Sequence, residues 1–242
     1  MENEGIRLNK YIASCGICSR RDADKLIMDG KVTVNGKPGE PGMKIFEGDS
    51  VKVGSKLLSK NPETVVLAFY KPVGVTTTER DAHAEYAVTD IVRYKERVTY
   101  AGRLDKDSEG LLLLTNDGDL IHGMMDAKNE HEKEYLVKVN KTVNEEITDR
   151  LREGIYIREL KRTAKPKSVE RVNKTTLRIV LTEGMNREIR RMCEAVSLKV
   201  TELKRVRVLN VTLGNLKPGE YRVLSQNEIK KLKDMVWGKT NA

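Results

Sequence analysis

Five runs of this chain are apolar and rich in β-branched residues: VVLAFY (65–70), LLLLT (111–115), EYLVKV (134–139), TLRIVLTE (176–183) and LKVTELKRVRVLNV (198–211). Runs of this kind bounded by polar turns fit strands buried in a sheet. Four helical patterns lie among them, near 117–125, 143–153, 186–196 and 226–236. Strands outnumber helices and the two do not alternate regularly. The expected class is therefore α+β with a mixed, mainly antiparallel sheet, rather than a doubly wound fold. No internal repeat interrupts this pattern.

Ahead of that region lies a different kind of segment. RLNKYIASCG (7–16) sets Leu8, Tyr11 and Ile12 at helical spacing. SRRDADKLIMDG (19–30) opens with Ser19 as an N-cap and Asp22 three residues on, close to a capping box. KVTVNGKP follows as a strand with an Asn35–Gly36 hairpin turn, and SVKV ends near Val53. SKLLSKNPET (55–64) is polar and reads as a linker. Two domains are expected, 1–60 including the linker and 61–242.

Charge narrows the partner. The 242 residues hold 45 Lys+Arg against 36 Asp+Glu, a net +9, which favours a polyanion and nucleic acid first. Residues 158–178 hold eight Lys/Arg against two Glu, and residues 187–207 hold seven against three, a candidate phosphate-tracking surface. No apolar run of about 18 residues suggests a membrane span. MENEGIRLNK is too polar for a signal peptide, and three cysteines suit a reducing cytoplasm. Cys15-Gly-Ile-Cys18 lacks the second pair that zinc would need and reads as a helix junction. His131 reads as a surface residue.

GRLDKDSEGLLLLTNDGD (102–119) carries five acids: Asp105, Asp107, Glu109, Asp117 and Asp119. Counted from Asp105, the spacing imitates a calcium loop up to Gly110. Position twelve should then be a bidentate glutamate, and it is Asn116. Four leucines also follow Gly110, which suits a buried strand. A metal site is not expected. What remains is an acidic turn, or the setting for one reacting carboxylate.

The stretch GRLDKDSEGLLLLTNDG resembles the central motif of the pseudouridine synthases, in the branch of the RsuA, RluB, RluE and RluF enzymes. FYKPVGV (69–75), EKEYLVKV (132–139) and GMNREIRRMCEAV (184–196) agree in order, and the last two look closest to the RluF type. The N-terminal segment resembles the small RNA-binding module named after ribosomal protein S four. Ser108 stands where family members commonly have Thr, which keeps the hydroxyl.

The resemblance implies an RNA pseudouridine synthase: a base is detached from its ribose, turned and rejoined through carbon. It implies ribosomal RNA as partner, most directly of the large subunit, with small-subunit RNA or tRNA as alternatives. No cofactor, no metal and no membrane are implied, and the enzyme is expected to be a cytoplasmic monomer. Asp105 is the implied catalytic carboxylate, Arg190 its ion-pair partner and Tyr135 the active-site tyrosine. An ionised carboxylate can attack covalently, steady a sugar cation or take a proton, and these stay open here. RNA contacts are expected from Arg103, Lys71, Arg187 and Arg191. In the N-terminal module they are expected from Arg7, Lys10, Arg20, Arg21 and Lys25, with Arg20 and Arg21 at a helix N-terminus that itself favours anions. Asp107, Glu109, Asp117 and Asp119 are left as turn and helix-start residues. The rival reading is a non-catalytic RNA-binding or ribosome-assembly protein on the same scaffold.

Overall fold

The computed structural model describes residues 5–59, 63–77 and 86–238. Its contacts divide the chain into two compact units: Met1–Val65 with Tyr94–Val98 and Asn116–Gly118, and the remainder. No helix among the described residues is long and apolar enough to cross a membrane.

In the first unit, β1 (Ile6–Arg7) leads into α1 (Leu8–Ser14) and then α2 (Arg20–Met28). The Ser19 hydroxyl accepts from the Asp22 amide, which fixes where α2 starts. β2 (Val32–Val34) and β3 (Lys37–Pro38) form the hairpin. Its turn places both Asn35 and Gly36 at positive φ, 52° and 80°, the requirement of a tight two-residue connection. β4 (Lys44–Ile45) pairs with β1, while β5 (Val51–Val53) pairs with β2 and with β6 (Lys56–Leu57). Leu8, Ile12, Ala23, Ile27, Val32 and Val51 are the centre of one apolar core. The linker assignment fails at its start: β6 completes this sheet, and Leu58 is buried in the same core. Asn61 and Pro62 lie outside the described residues.

The second unit contains β7 (Val66–Lys71), α3 (Val88–Ile91), β8 (Thr99–Ala101), β9 (Glu109–Thr115), α4 (Gly118–Met125) and β10 (Lys133–Val139). It continues with α5 (Glu145–Glu153), β11 (Ile155–Ile157), β12 (Arg162–Ala164), β13 (Ser168–Asn173) and β14 (Thr176–Leu181). Then come α6 (Glu188–Ala195), β15 (Val200–Val208), β16 (Val211–Thr212), β17 (Tyr221–Val223) and α7 (Gln226–Trp237). Nine strands form one sheet in the order β13-β14-β10-β15-β9-β7-β17, with β16 on β15 and β8 on β9. Every ladder in it is antiparallel except β9–β15. The class is α+β with a mixed, mainly antiparallel sheet, as expected.

β7 and β9 are buried along nearly their whole length, so both faces of the sheet are covered at its centre. Leu111 and Leu113 on one face of β9 pack with Leu120 and Met124 of α4 and with Ile229, Leu232 and Val236 of α7. α7 is started by a capping box in which Ser225 and Glu228 bond each other's backbone amides. β9 and β15 are the two strands that meet in parallel, and the segment entering β9 is GRLDKDS.

Candidate active site

Two features of sequence place GRLDKDS. Gly110, the second residue of β9, pairs with Arg205 of β15 at φ +105°; a Cβ there would stand 2.3 Å from the Arg205 carbonyl oxygen. Only glycine lets the backbones approach that closely. Just before it, five successive carbonyls are each taken by a donor. The Arg103 carbonyl accepts from Arg205 Nη1 (3.3 Å), Leu104 from Thr77 Oγ1 (3.0 Å) and Asp105 from the Ser108 amide (3.1 Å). Lys106 accepts from the Gly74 amide (2.8 Å) and Asp107 from Arg190 Nη2 (2.8 Å). A loop with each of these carbonyls bonded, from three directions, is a stiff support for the one acidic side chain it presents to the neighbouring cleft. That side chain is Asp105, about a third exposed.

Asp105 opens into a cleft of about 520 Å³, whose walls include Arg103, Tyr135, Lys133, Arg187 and Glu188. That is the size range of ordinary small-molecule sites. Tyr135 is nearly buried on β10, with Ile179 and Arg205 opposite it on the flanking strands. Arg103 is exposed at the cleft, free of the core. The structure thus brings Asp105, Tyr135 and Arg103 to one cavity.

The ion pairs differ from expectation. Arg187, not Arg190, is the arginine nearest Asp105, with Nη1 3.9 Å from its Oδ2. Arg187 also grips Asp107 through two hydrogen bonds of 3.1 and 3.0 Å. Arg190 Nε stands 3.3 Å from the same Asp107 carboxylate, and its Nη2 also reaches the Ser108 hydroxyl. Arg187 precedes α6 in a left-handed conformation (φ 53°), and from there its fork reaches both acids. Partial burial pushes Asp107 up, but the Arg187 hydrogen bonds and the charges of Arg190 and Arg187 outweigh it and hold the carboxyl below its ordinary value. Asp107 is therefore no plain turn residue. It anchors Arg187, just ahead of α6, and Arg190, within α6, to the loop.

Lys71 is corrected more sharply. It is wholly buried, and its Nζ donates to the carbonyls of Pro72 and Val75 at 2.8 Å each, so it does not lie on an RNA-facing surface. Burial lowers its amine from 10.5 to about 8, against the pull of Asp105 and Asp107. It is a buried cation supporting the acidic loop from behind. Other corrections follow the same lines. His131 is buried, its Nε2 2.9 Å from the Gly123 carbonyl. Arg205 is buried as well, donating to the Leu111 carbonyl at 2.7 Å, so it belongs to no phosphate track. Arg207 is engaged by Glu132 and Glu134, Arg191 by Glu159 and Lys204 by Glu109. The 187–207 segment is thus largely neutralised by its neighbours. The 158–178 cations are all exposed, and three of them, Arg162, Lys167 and Arg178, pair with Glu183, Glu132 and Glu134.

Glu109 accepts from the Tyr70 hydroxyl (2.9 Å) and pairs with Lys204, so the acids of the loop diverge rather than converge. Among the described residues no group of three or more His, Cys, Asp or Glu could hold a metal ion. Sequence reasoning missed Lys133, which lines the same cleft. Burial and Arg205 lower its amine from 10.5 to about 8, with Glu188 opposing. The parity of β10 was the available signal, since Lys133 and Tyr135 share a face.

In the first unit Arg7, Arg20, Arg21 and Lys25 are exposed, and Lys10 is half-buried. The start of α2 is already occupied by its own Ser19 and Asp22, whose side chains bond each other. The donors left open there are the guanidinium groups of Arg20 and Arg21.

A family model for RNA pseudouridylate synthase matches residues 65–195, and one for the S4 domain matches residues 6–51. The chain is 42% identical over 231 residues to the dual-specificity RNA pseudouridine synthase RluF of Escherichia coli, covering 95% of this chain and 79% of that one. It is 38% identical to ribosomal large subunit pseudouridine synthase B of Bacillus subtilis, covering 94% and 95%. A crystal structure of a pseudouridylate synthase superposes with a TM-score of 0.69 at 32% identity, covering 94% of this chain and 99% of that one.

Proposed function

The chain belongs to the RNA pseudouridylate synthase family, and on that footing we propose that it isomerises one specific uridine of large-subunit ribosomal RNA, with Asp105 as the reacting carboxylate. The observation that carries the assignment of Asp105 is its mount: a loop with five consecutive carbonyls bonded, presenting one acid to a cleft that Tyr135 also walls. The target nucleotide leaves its stack to reach such a cleft. Tyr135 offers the extruded base a ring to lie against. Arg103, exposed at the mouth, supplies a planar cation for the vacated position or a phosphate. Arg187 and Arg190 act on the loop through Asp107, and Arg187 adds positive charge within 3.9 Å of Asp105.

The large-subunit assignment is supported by the Bacillus subtilis relative, which is named for that subunit. The dual specificity in the RluF name keeps a second RNA class, such as tRNA, as an arm of the test. The reading includes a division of labour between an RNA-binding module, 1–60, and a catalytic domain, 61–242, working as a cytoplasmic monomer. The two family matches support that division.

The test is tritium release from uridine labelled at C5, in ribosomal RNA and tRNA prepared without the modification. Wild type is expected to release tritium from 23S RNA, and Asp105→Asn to release none while binding RNA normally. Release by wild type only from 16S RNA or tRNA would overturn the substrate assignment. Release by Asp105→Asn at the wild-type rate would remove Asp105 from its role.

A further inference from the structure

Lys133 lines the cleft beside Tyr135 and has no part in the reading above. It sits two residues before Tyr135 on β10, so both side chains enter the cavity from the same wall. Its Nζ donates to a single protein acceptor, the His131 carbonyl, at 3.0 Å. An ammonium has three N–H donors. Lys133 is half-buried, whereas Glu188, which also lines the cleft, is buried and has one oxygen on the Met185 amide. Among the described residues Lys133 forms no ion pair with it or with any other acid. A half-buried ammonium with donors to spare and no paired acid is placed for a ligand in the cleft to complete its bonding.

We propose that Lys133 is a further catalytic residue, whose ammonium donates to a carbonyl oxygen of the extruded uracil and stabilises the charge gathering there as the base detaches. The inference rests on the cleft at Asp105 being the site of isomerisation. When the C1′–N1 bond breaks, its electron pair stays with the ring and is shared among N1, O2 and O4. After the turn, C5 forms the new bond to C1′ and passes its proton to solvent, while N1 takes a proton up from solvent, so no oxidant, reductant or net water is consumed. A fixed cation beside a ring oxygen is stronger in that state than against neutral uracil, which is what accelerates a step. The position next to Tyr135 favours the base over the phosphate, because a phosphate stays on the solvent side of a cleft that takes in only the nucleobase.

The charges acting on Lys133 are Arg205 from β15 and Glu188 from α6. With its amine at about 8, the required ammonium is present at neutral pH and is lost as pH rises through that value. The experiment is single-turnover tritium release against pH for wild type, Lys133→Met and Lys133→Arg, with RNA affinity measured in parallel. Lys133→Met is expected to slow release roughly a hundredfold while RNA affinity holds. Lys133→Arg, still cationic at high pH, is expected to stay within tenfold and to carry the alkaline fall in rate to higher pH. A loss under tenfold in Lys133→Met, or an alkaline limb that Lys133→Arg leaves in place, overturns the proposal while a normal wild-type rate preserves the site reading. A wild type silent on every RNA offered would take down that reading and this inference together.

Discussion

Lys71 shows how far a single residue can depart from what its type suggests. A lysine in KPVG reads as a surface cation, and nothing in the local sequence says that its Nζ will be enclosed by its own turn. The enclosure depends on β7 being a central strand with both faces covered. That Asp105 and Tyr135 come together at one cleft was legible from the order of the motifs. The pairing of Arg187 and Arg190 with Asp107 was not, because it depends on a left-handed residue ahead of α6. Burial leaves Lys71 a stability signature of unusual sign. Its amine lies near 8 in the fold and at its ordinary value of 10.5 when exposed. Between those values the unfolded chain binds more protons, so its contribution to stability rises with pH. Lys71→Met lacks that contribution. Urea unfolding should therefore show the margin of wild type over Lys71→Met widening from pH 7.5 to 10. A margin that stays constant would mean that Lys71 titrates normally in the folded protein.

At the scale of elements, the long apolar strands and the four principal helices were readable from periodicity, and their ends shifted by only a few residues. Among the elements that escaped were the two-residue strands β1, β4 and β6, the three-residue strands β8, β11, β12 and β17, the short helix α3 and the largely exposed edge strand β13. The strands among them carry no apolar run of their own and form only because a neighbour offers a ladder. The contact between β9 and β15 is of the same kind. Gly110 was visible as the start of the leucine strand, but the parallel partner lies some ninety residues away and dictates why it must be glycine. Gly110→Ala places a methyl 2.3 Å from the Arg205 carbonyl oxygen and forces a side chain onto φ +105°. Neither is relieved by rotating a side chain, because the obstacle is backbone. We expect a loss of about 3 kcal/mol or more in denaturant unfolding. A variant that melts with the wild type would show that β9 and β15 can separate without cost.

For the molecule as a whole, the net charge of +9 states only that cations are in excess. The structure decides which of them can meet a phosphate. Along β15 and α6 the cations are buried or engaged by carboxylates, as Arg205, Arg207 and Arg187 show. In the first unit Arg20 and Arg21 are exposed, and among the described residues no acidic side chain pairs with them. Affinity from phosphate contact scales with the number of counterions released, and each contact adds about 0.7–0.9 to the slope of log K against log salt. Replacing both Arg20 and Arg21 by Ala should therefore lower that slope by about 1.5 and weaken RNA binding at low salt. Because the change lies outside the Asp105 cleft, the turnover rate at saturating RNA should be unaltered. Filter binding across a salt series, paired with tritium release at saturating RNA, separates the two effects. An unchanged slope would take phosphate reading away from the start of α2. A lost rate at saturation would mean instead that the first unit positions the target base rather than only holding the RNA.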